Sequence, residues 1–466
     1  MTRIARVIAA PALGASYVED LAALRMRRIP SDDRVAAAPV TPGFRRVAEP
    51  AEAVSVGIFL EGFPQPVWGD CVGAAFGGQA GGGPVFRAAE GLAAIRQAIG
   101  PALEGRPVES FRALAETVDA LVDGVDFGAL RPEPDAPAVA RLTRRDVVTS
   151  PASLLRAVRQ ELDRALAPEE SAAAGQLPLA STHAALCYGL SQALLGAAAL
   201  ARGVPMAQVI AEEWGLPLPD APAPIHAQIG HEWRANADRL IVRGVASLPH
   251  LLIDDIEAQL GRDGSKLAAY VRWLSQRIGE LGSPGYHPTI HLDVRGALGT
   301  ICRHEPGRVL GHLYGLEMAA KPYPLRVESP LILDSREAQI AGLKTLREYV
   351  ATRGWQVHIV ADEWANTLDD IRAFVQAGAA DMIHLKMPDL GGLHHSVEAV
   401  LTCRAAGVGA CLGGSCAETD LSARVAVHVA LAVRPDVFMA RPGLGVDEAV
   451  SLTHNEMART LAVLAG

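Results

Sequence analysis

Paired cysteines are missing from this 466-residue chain: the six present, at 71, 187, 302, 403, 411 and 416, form no CxxC pair and no zinc-finger spacing. Their pattern excludes a disulfide scaffold and a thiol-ligated zinc module, and reduced thiols in a cytoplasmic protein are the expectation. Excess basic charge is missing too. Lysine and arginine total 43 against 52 acidic residues, a net charge of −9 spread along the chain, which leaves no electrostatic footprint for nucleic acid. The longest apolar stretch, residues 184–201, carries Gln192 and small residues at helical spacing, with His183 and Arg202 flanking it. It reads as a packed helix, so no membrane association is expected. The opening MTRIARVIAAPALGASYVED has its short apolar run broken by Pro11 and then turns acidic, which is not a signal-peptide layout.

The length accommodates two domains and a large core. Residues 1–215 read as an α+β capping domain, with alternating strand-like runs such as Val54 to Leu60 and helices over residues 86–99 and 108–122. An insertion at about 125–180 is rich in Pro, Ala and charge, with one amphipathic helix expected over residues 151–166. From residue 216 to 466 the texture becomes strand-helix alternation. Apolar strands end near Gln228, His250, Asp293, Glu328, Asp362, Lys386, Leu412 and Ala440, separated by helical patterns such as residues 253–279 and 336–352. Eight strand ends fit a (β/α)8 barrel, so the fold class is α/β with a TIM-like catalytic barrel behind an N-terminal cap.

Three of those strands end in carboxylates at nearly even intervals. Asp293 in HLDVRG is followed by Glu328 in LRVESP and Asp362 in VADEW, at separations of 35 and 34 residues. One acid after a strand reads equally well as a helix N-cap. Three in register at the C-terminal rim of a barrel suit a hard cation: all-oxygen ligands favour Mg2+, with Mn2+ as a substitute. Lys386, in HLKMPDLGG, ends the next strand and faces the same cavity. A lysine buried beside a cation has a depressed pKa and acts as a neutral base toward a carbon acid. The weak acidity of a carbon next to a carboxylate requires that the developing dianion be stabilised as it forms, which the cation supplies.

Taken together, Leu248-Pro249-His250, HLDVRGALG, VADEWANT, HLKMPDLGG, GGSCAET and RPGLGVDE resemble methylaspartate ammonia-lyase, a branch of the enolase superfamily. The resemblance is nearly continuous from about residue 224 to 457. It reappears at Thr41-Pro42-Gly43-Phe44 and Gly69-Asp70-Cys71 and is weak between about 125 and 180. It implies a metal triad of Asp293, Glu328 and Asp362, with Lys386 as base on one face of the substrate. His250 then lies across the cavity to serve the opposite face or hold a carboxylate, and Gln228, Ser415 and Cys416 gather the second carboxylate. The thiol of Cys416 itself reads as packing, and Glu363 and Asp389 as structural. Similar enzymes are homodimers.

Departures from the family surround the substrate. His384 stands two residues before the lysine, where the family has glutamine; strand alternation puts it on the same face as Lys386, adding a titrating group to the cavity. Ala75 replaces a glutamine on the amine side, His226 an aromatic residue, Cys411 a tyrosine, Ser415 a threonine and Met439 a leucine. The expected activity is elimination of a β-leaving group, most simply ammonia from a 3-methylaspartate-like amino diacid to give mesaconate. A hydro-lyase or a racemase or epimerase acting on another amino or hydroxy diacid, or a non-catalytic binding barrel, are the alternatives. The altered pocket implies preference for a substrate with a different group near the amine position.

Overall fold

The computed structural model describes residues 2–27, 33–74, 76–77, 85–131, 180–253 and 255–466. Ala75, most of the expected insertion and its helix over residues 151–166 lie outside the described residues.

Eight parallel strands close a barrel in chain order: Ile225–His226, Ser247–Pro249, Thr289–Asp293, Leu325–Glu328, Val357–Ala361, Met382–Lys386, Gly409–Gly413 and Val437–Met439. All eight lie at the expected positions. Alternation along each strand separates two environments. In Thr289–Asp293, His291 and Asp293 point inward, while Ile290 and Leu292 are fully buried in the main hydrophobic core. Truncating Leu292 to Ala would cost about 2–5 kcal/mol. A separate apolar cluster of Val360, Met382, Cys411 and Val437 fills part of the barrel interior.

The outer helices start where side chains can satisfy their free N–H groups. Ser335 caps Arg336–Thr352, and Thr367 with Asp370 forms a capping box on Leu368–Ala377. The pattern over residues 253–279 is not one helix. A short π-helical turn, Ile256–Leu260, is separated from Ser265–Leu281 by Gly261 and Gly264, both at positive φ (82° and 74°), where the helical path breaks.

The N-terminal sheet has the strand order Val67–Val72, Ala48–Leu60, Ile4–Asp20, Phe76–Gly77, antiparallel except for the last pair. Against it packs the long apolar helix Ala180–Arg202, with 78% of its most apolar window buried inside the molecule. Glycines permit that close approach: a Cβ on Gly69 would sit 2.1 Å from the Gly189 carbonyl oxygen. Gln192 then donates to the Asp70 carbonyl and accepts from its N–H, at 3.1 and 3.2 Å. The sheet also touches the barrel rim. Ser415 Oγ donates to Gly73 O (3.0 Å), Thr419 Oγ1 to Asp70, and Ala15 N to Glu418 O (3.2 Å). All six cysteines are free thiols.

Candidate active site

Parallel strands place their C-terminal ends at one rim of the barrel. The Asp293↔Glu328 pairing puts two acids side by side there, and Asp362 follows one strand further on. Asp293 and Asp362 are almost completely buried, and Glu328 is fully so. His250 bridges two of the three, and Lys386 pairs with the third. His250 Nε2 is 4.0 Å from Asp293 Oδ2 while its Nδ1 is 3.8 Å from Glu328 Oε2. Lys386 Nζ donates to Asp362 Oδ2 at 2.7 Å. His250 reaches this position from a backbone at φ 46°, with its N–H donating to His291 O at 2.8 Å.

Glu328 is the hub of a buried histidine cluster. His291 Nε2 and His384 Nδ1 lie 2.7 and 2.8 Å from its two oxygens. Burial alone would raise the Glu328 carboxyl, but the neighbouring His384 and His250 and the hydrogen bonds from His291 and His384 hold it well below the usual range. The same partnership raises His384 despite its burial. His250 has no such close bond, and burial pushes it well down. His226, also pushed well down by burial, is fixed through Nδ1 to Ser247 Oγ at 2.6 Å and stacks on His291, ring centroids 4.4 Å apart. The His384 ring fits because position 413 is glycine: a Cβ there would sit 1.9 Å from its Nε2.

The acids also crowd one another. Burial, and then Glu328, Glu363 and Asp362, push the Asp293 carboxyl well above the usual range. Such a cluster of buried oxygens fits a hard divalent cation. Lys386 departs from the expected depressed pKa. Burial acts to lower it, but Asp362, Asp389 and Glu363 together raise it above the ordinary lysine value. A neutral lysine here requires the charge of those acids to be taken up by a cation.

The remaining expected residues are distributed around this rim. Gln228 follows the first barrel strand by two positions and is partly buried. Met439 ends the last strand, buried. Ser415 is buried and faces the N-terminal sheet through Gly73, with Cys416 beside it partly exposed. The thiol of Cys411 is buried within the apolar interior cluster, and burial pushes it well up. The sequence reading missed His291, which is two residues before Asp293; the alternation that singled out His384 also points His291 into the cavity. It also treated Glu363 and Asp389 as structural. Glu363 bonds to Ser329, and Asp389 faces Lys386 with its carboxyl raised by burial to about 6.

The model for the methylaspartate ammonia-lyase C-terminus matches residues 217–465, and that for the N-terminus matches residues 2–131 and 134–215. Methylaspartate ammonia-lyase 2 of Carboxydothermus hydrogenoformans is 38% identical over 462 residues, covering 99% of this chain and 98% of its own. The Citrobacter amalonaticus methylaspartate ammonia-lyase is 39% identical over 428 residues, covering 91% and 90%. The crystal structure of the Citrobacter amalonaticus enzyme containing (2S,3S)-3-methylaspartic acid superposes with a TM-score of 0.83 at 36% identity, covering both chains fully. The Mg complex of β-methylaspartase from Clostridium tetanomorphum gives 0.80 at 31%, covering 99% of each. The Bacillus subtilis L-Ala-D/L-Glu epimerase, at 17% identity and a TM-score of 0.59 over 96% of this chain and 92% of its own, shares the fold.

Proposed function

We propose a reaction for this protein from one premise: the chain belongs to the methylaspartate ammonia-lyase family of the enolase superfamily and is a carbon–nitrogen lyase. The reaction is elimination of ammonia from a 3-methylaspartate-like amino diacid, giving an unsaturated diacid such as mesaconate. The observation that carries this reading is the meeting of Lys386 and His250, from opposite parts of the barrel, at one set of buried acids.

Asp293, Glu328 and Asp362 would hold Mg2+, or Mn2+ in its place, which when bound stabilises negative charge developing on the substrate carboxylate. Lys386 removes the proton from the carbon next to that carboxylate, and the C–N bond on the adjacent carbon breaks as the double bond forms. His250 serves the opposite face. Gln228, Ser415 and Cys416 receive the second carboxylate. His226, His384 and Met439 line the pocket and, with Ala75 by resemblance, set which diacid fits. The cap is assigned to residues 1–215 and the barrel to 216–466. We propose that the enzyme works in the cytoplasm as a homodimer.

His384 at Glu328 supports a second reading, epimerisation or water elimination on another carboxylate, because it adds an acid-base group beside the two bases. Solvent exchange separates the enzymatic readings from a binding barrel. With Mg2+ in deuterated buffer, the carbon-bound proton next to the substrate carboxylate should exchange with solvent. Absence of exchange and of product across amino and hydroxy diacids would contradict both enzymatic readings.

A further inference from the structure

Outside the barrel mouth, one more group of titratable side chains converges. Asp119 comes from the helix Phe111–Asp123 of the N-terminal half, and His394 and His395 open the helix Leu393–Ala405 of the barrel. Both imidazole Nε2 atoms face the same carboxylate oxygen, Asp119 Oδ2, at 3.0 Å from His394 and 3.3 Å from His395. The two rings lie 4.0 Å apart between centroids. The buried Cys187 thiol, from the helix Ala180–Arg202, lies against the same carboxylate.

Hydrogen bonding fixes what those nitrogens are. His395 Nδ1 lies 3.0 Å from the Leu390 carbonyl oxygen, an acceptor only, so Nδ1 carries the proton. In a neutral ring Nε2 is then a bare lone pair, aimed at a carboxylate oxygen that is also an acceptor. Something positive belongs between them. With protons alone, His394 would donate from a neutral Nε2–H and His395 would be an imidazolium in ring contact with it, leaving the His394 Nδ1, on a side chain only 3% exposed, a bare acceptor without a hydrogen-bond partner among the described residues.

A single divalent cation resolves the arrangement. Donors bound to a tetrahedral ion at about 2.0–2.1 Å lie about 3.3 Å from one another, a spacing that the separations of 3.0 and 3.3 Å accommodate as well as they do a hydrogen bond. A ligating histidine whose other nitrogen donates to a backbone carbonyl is the usual outer support of such sites. Two imidazoles and one carboxylate suit a borderline cation rather than Mg2+. We infer that Asp119, His394 and His395 form a binding site for a Zn2+-class cation that ties the N-terminal half of the chain to the barrel. The site is separate from the acids of the proposed reaction and stands whether or not that reaction is correct.

Metal content of the full chain tests this. Chelator-stripped protein is dialysed against Zn2+ with excess Mg2+, and zinc per chain is counted by mass spectrometry. Co2+ in place of Zn2+ gives visible absorption bands that report nitrogen ligation directly. The parent should retain one Zn2+ per chain and show the Co2+ bands. H394N/H395N should lose both while keeping its Mg2+-dependent turnover; D119N replaces it if the double variant does not fold. H226F, which alters the other histidine cluster, should keep both. Equal zinc in the parent and the H394N/H395N or D119N variant, zinc lost with H226F instead, or no zinc in the parent would overturn the proposal.

Discussion

His384 Nδ1 lies 2.8 Å from Glu328 Oε1, and both groups are buried. Glu328 overrides the effect of burial and raises the imidazole above its ordinary value of 6.5. A raised folded pKa means that the pair contributes fully below the unfolded value, about 6.5, and that this contribution is lost as pH rises through the folded value. In chelator-treated protein, H384Q should therefore be less stable than the parent by about 1–3 kcal/mol on the acidic side, with the gap closing toward alkaline pH. Urea unfolding at a series of pH values checks this; a gap that widens with pH contradicts it.

Asp293, Glu328 and Asp362 act as one unit in the proposed reaction. Replacing any one with Ala should abolish turnover and weaken Mg2+ binding while the barrel still folds. Calorimetric Mg2+ titration and circular dichroism read the two effects separately. Turnover near the parent rate in any of the three variants would remove that acid from the site.

Lys386 neutralises Asp362 in the structure and is the proposed base. K386A should lose turnover of one substrate stereoisomer and retain Mg2+ binding, because none of the three acids is altered. Rates on the separate isomers decide it. Near-normal rates on every active isomer would transfer the base role elsewhere.

How far these sites were legible depends on the kind of signal. The acids at 293, 328 and 362 were readable because a strand end recurs once per strand-helix unit, and the barrel places those ends on one rim. His384 was readable from strand alternation. His291 carries the same signal, two residues before the strand-terminal acid Asp293. The break at Gly261 and Gly264 was hidden by helical spacing that continues across it, since periodicity does not report positive φ. The raised pKa of Lys386 was not legible, because Asp389, Glu363 and Asp362 meet it only after folding. The cluster of Asp119 with His394 and His395 joins residues 275 positions apart, which local spacing does not report.

Ala75 concerns substrate preference. Its resemblance-based counterpart is a glutamine on the amine side, so A75Q should restore a hydrogen-bond partner for a primary ammonium. A contact of that kind is worth about 1–3 kcal/mol, or roughly 5- to 150-fold in kcat/KM on 3-methylaspartate. Substrates bearing a larger group on nitrogen should lose a comparable factor. A parent enzyme already working at about 10⁴ M⁻¹s⁻¹ or faster on 3-methylaspartate would show that the altered pocket did not change the preference.

Elimination is tested by its products. Amino diacids, 3-methylaspartate and its N-substituted analogues among them, are incubated with the full chain and Mg2+. Ultraviolet absorbance of an unsaturated diacid and release of ammonia or amine are followed together. Both should appear in equal amounts, dependent on Mg2+ and absent in K386A for the isomer that lysine serves. Exchange of the substrate proton with solvent, without unsaturated product from any amino diacid, would contradict it.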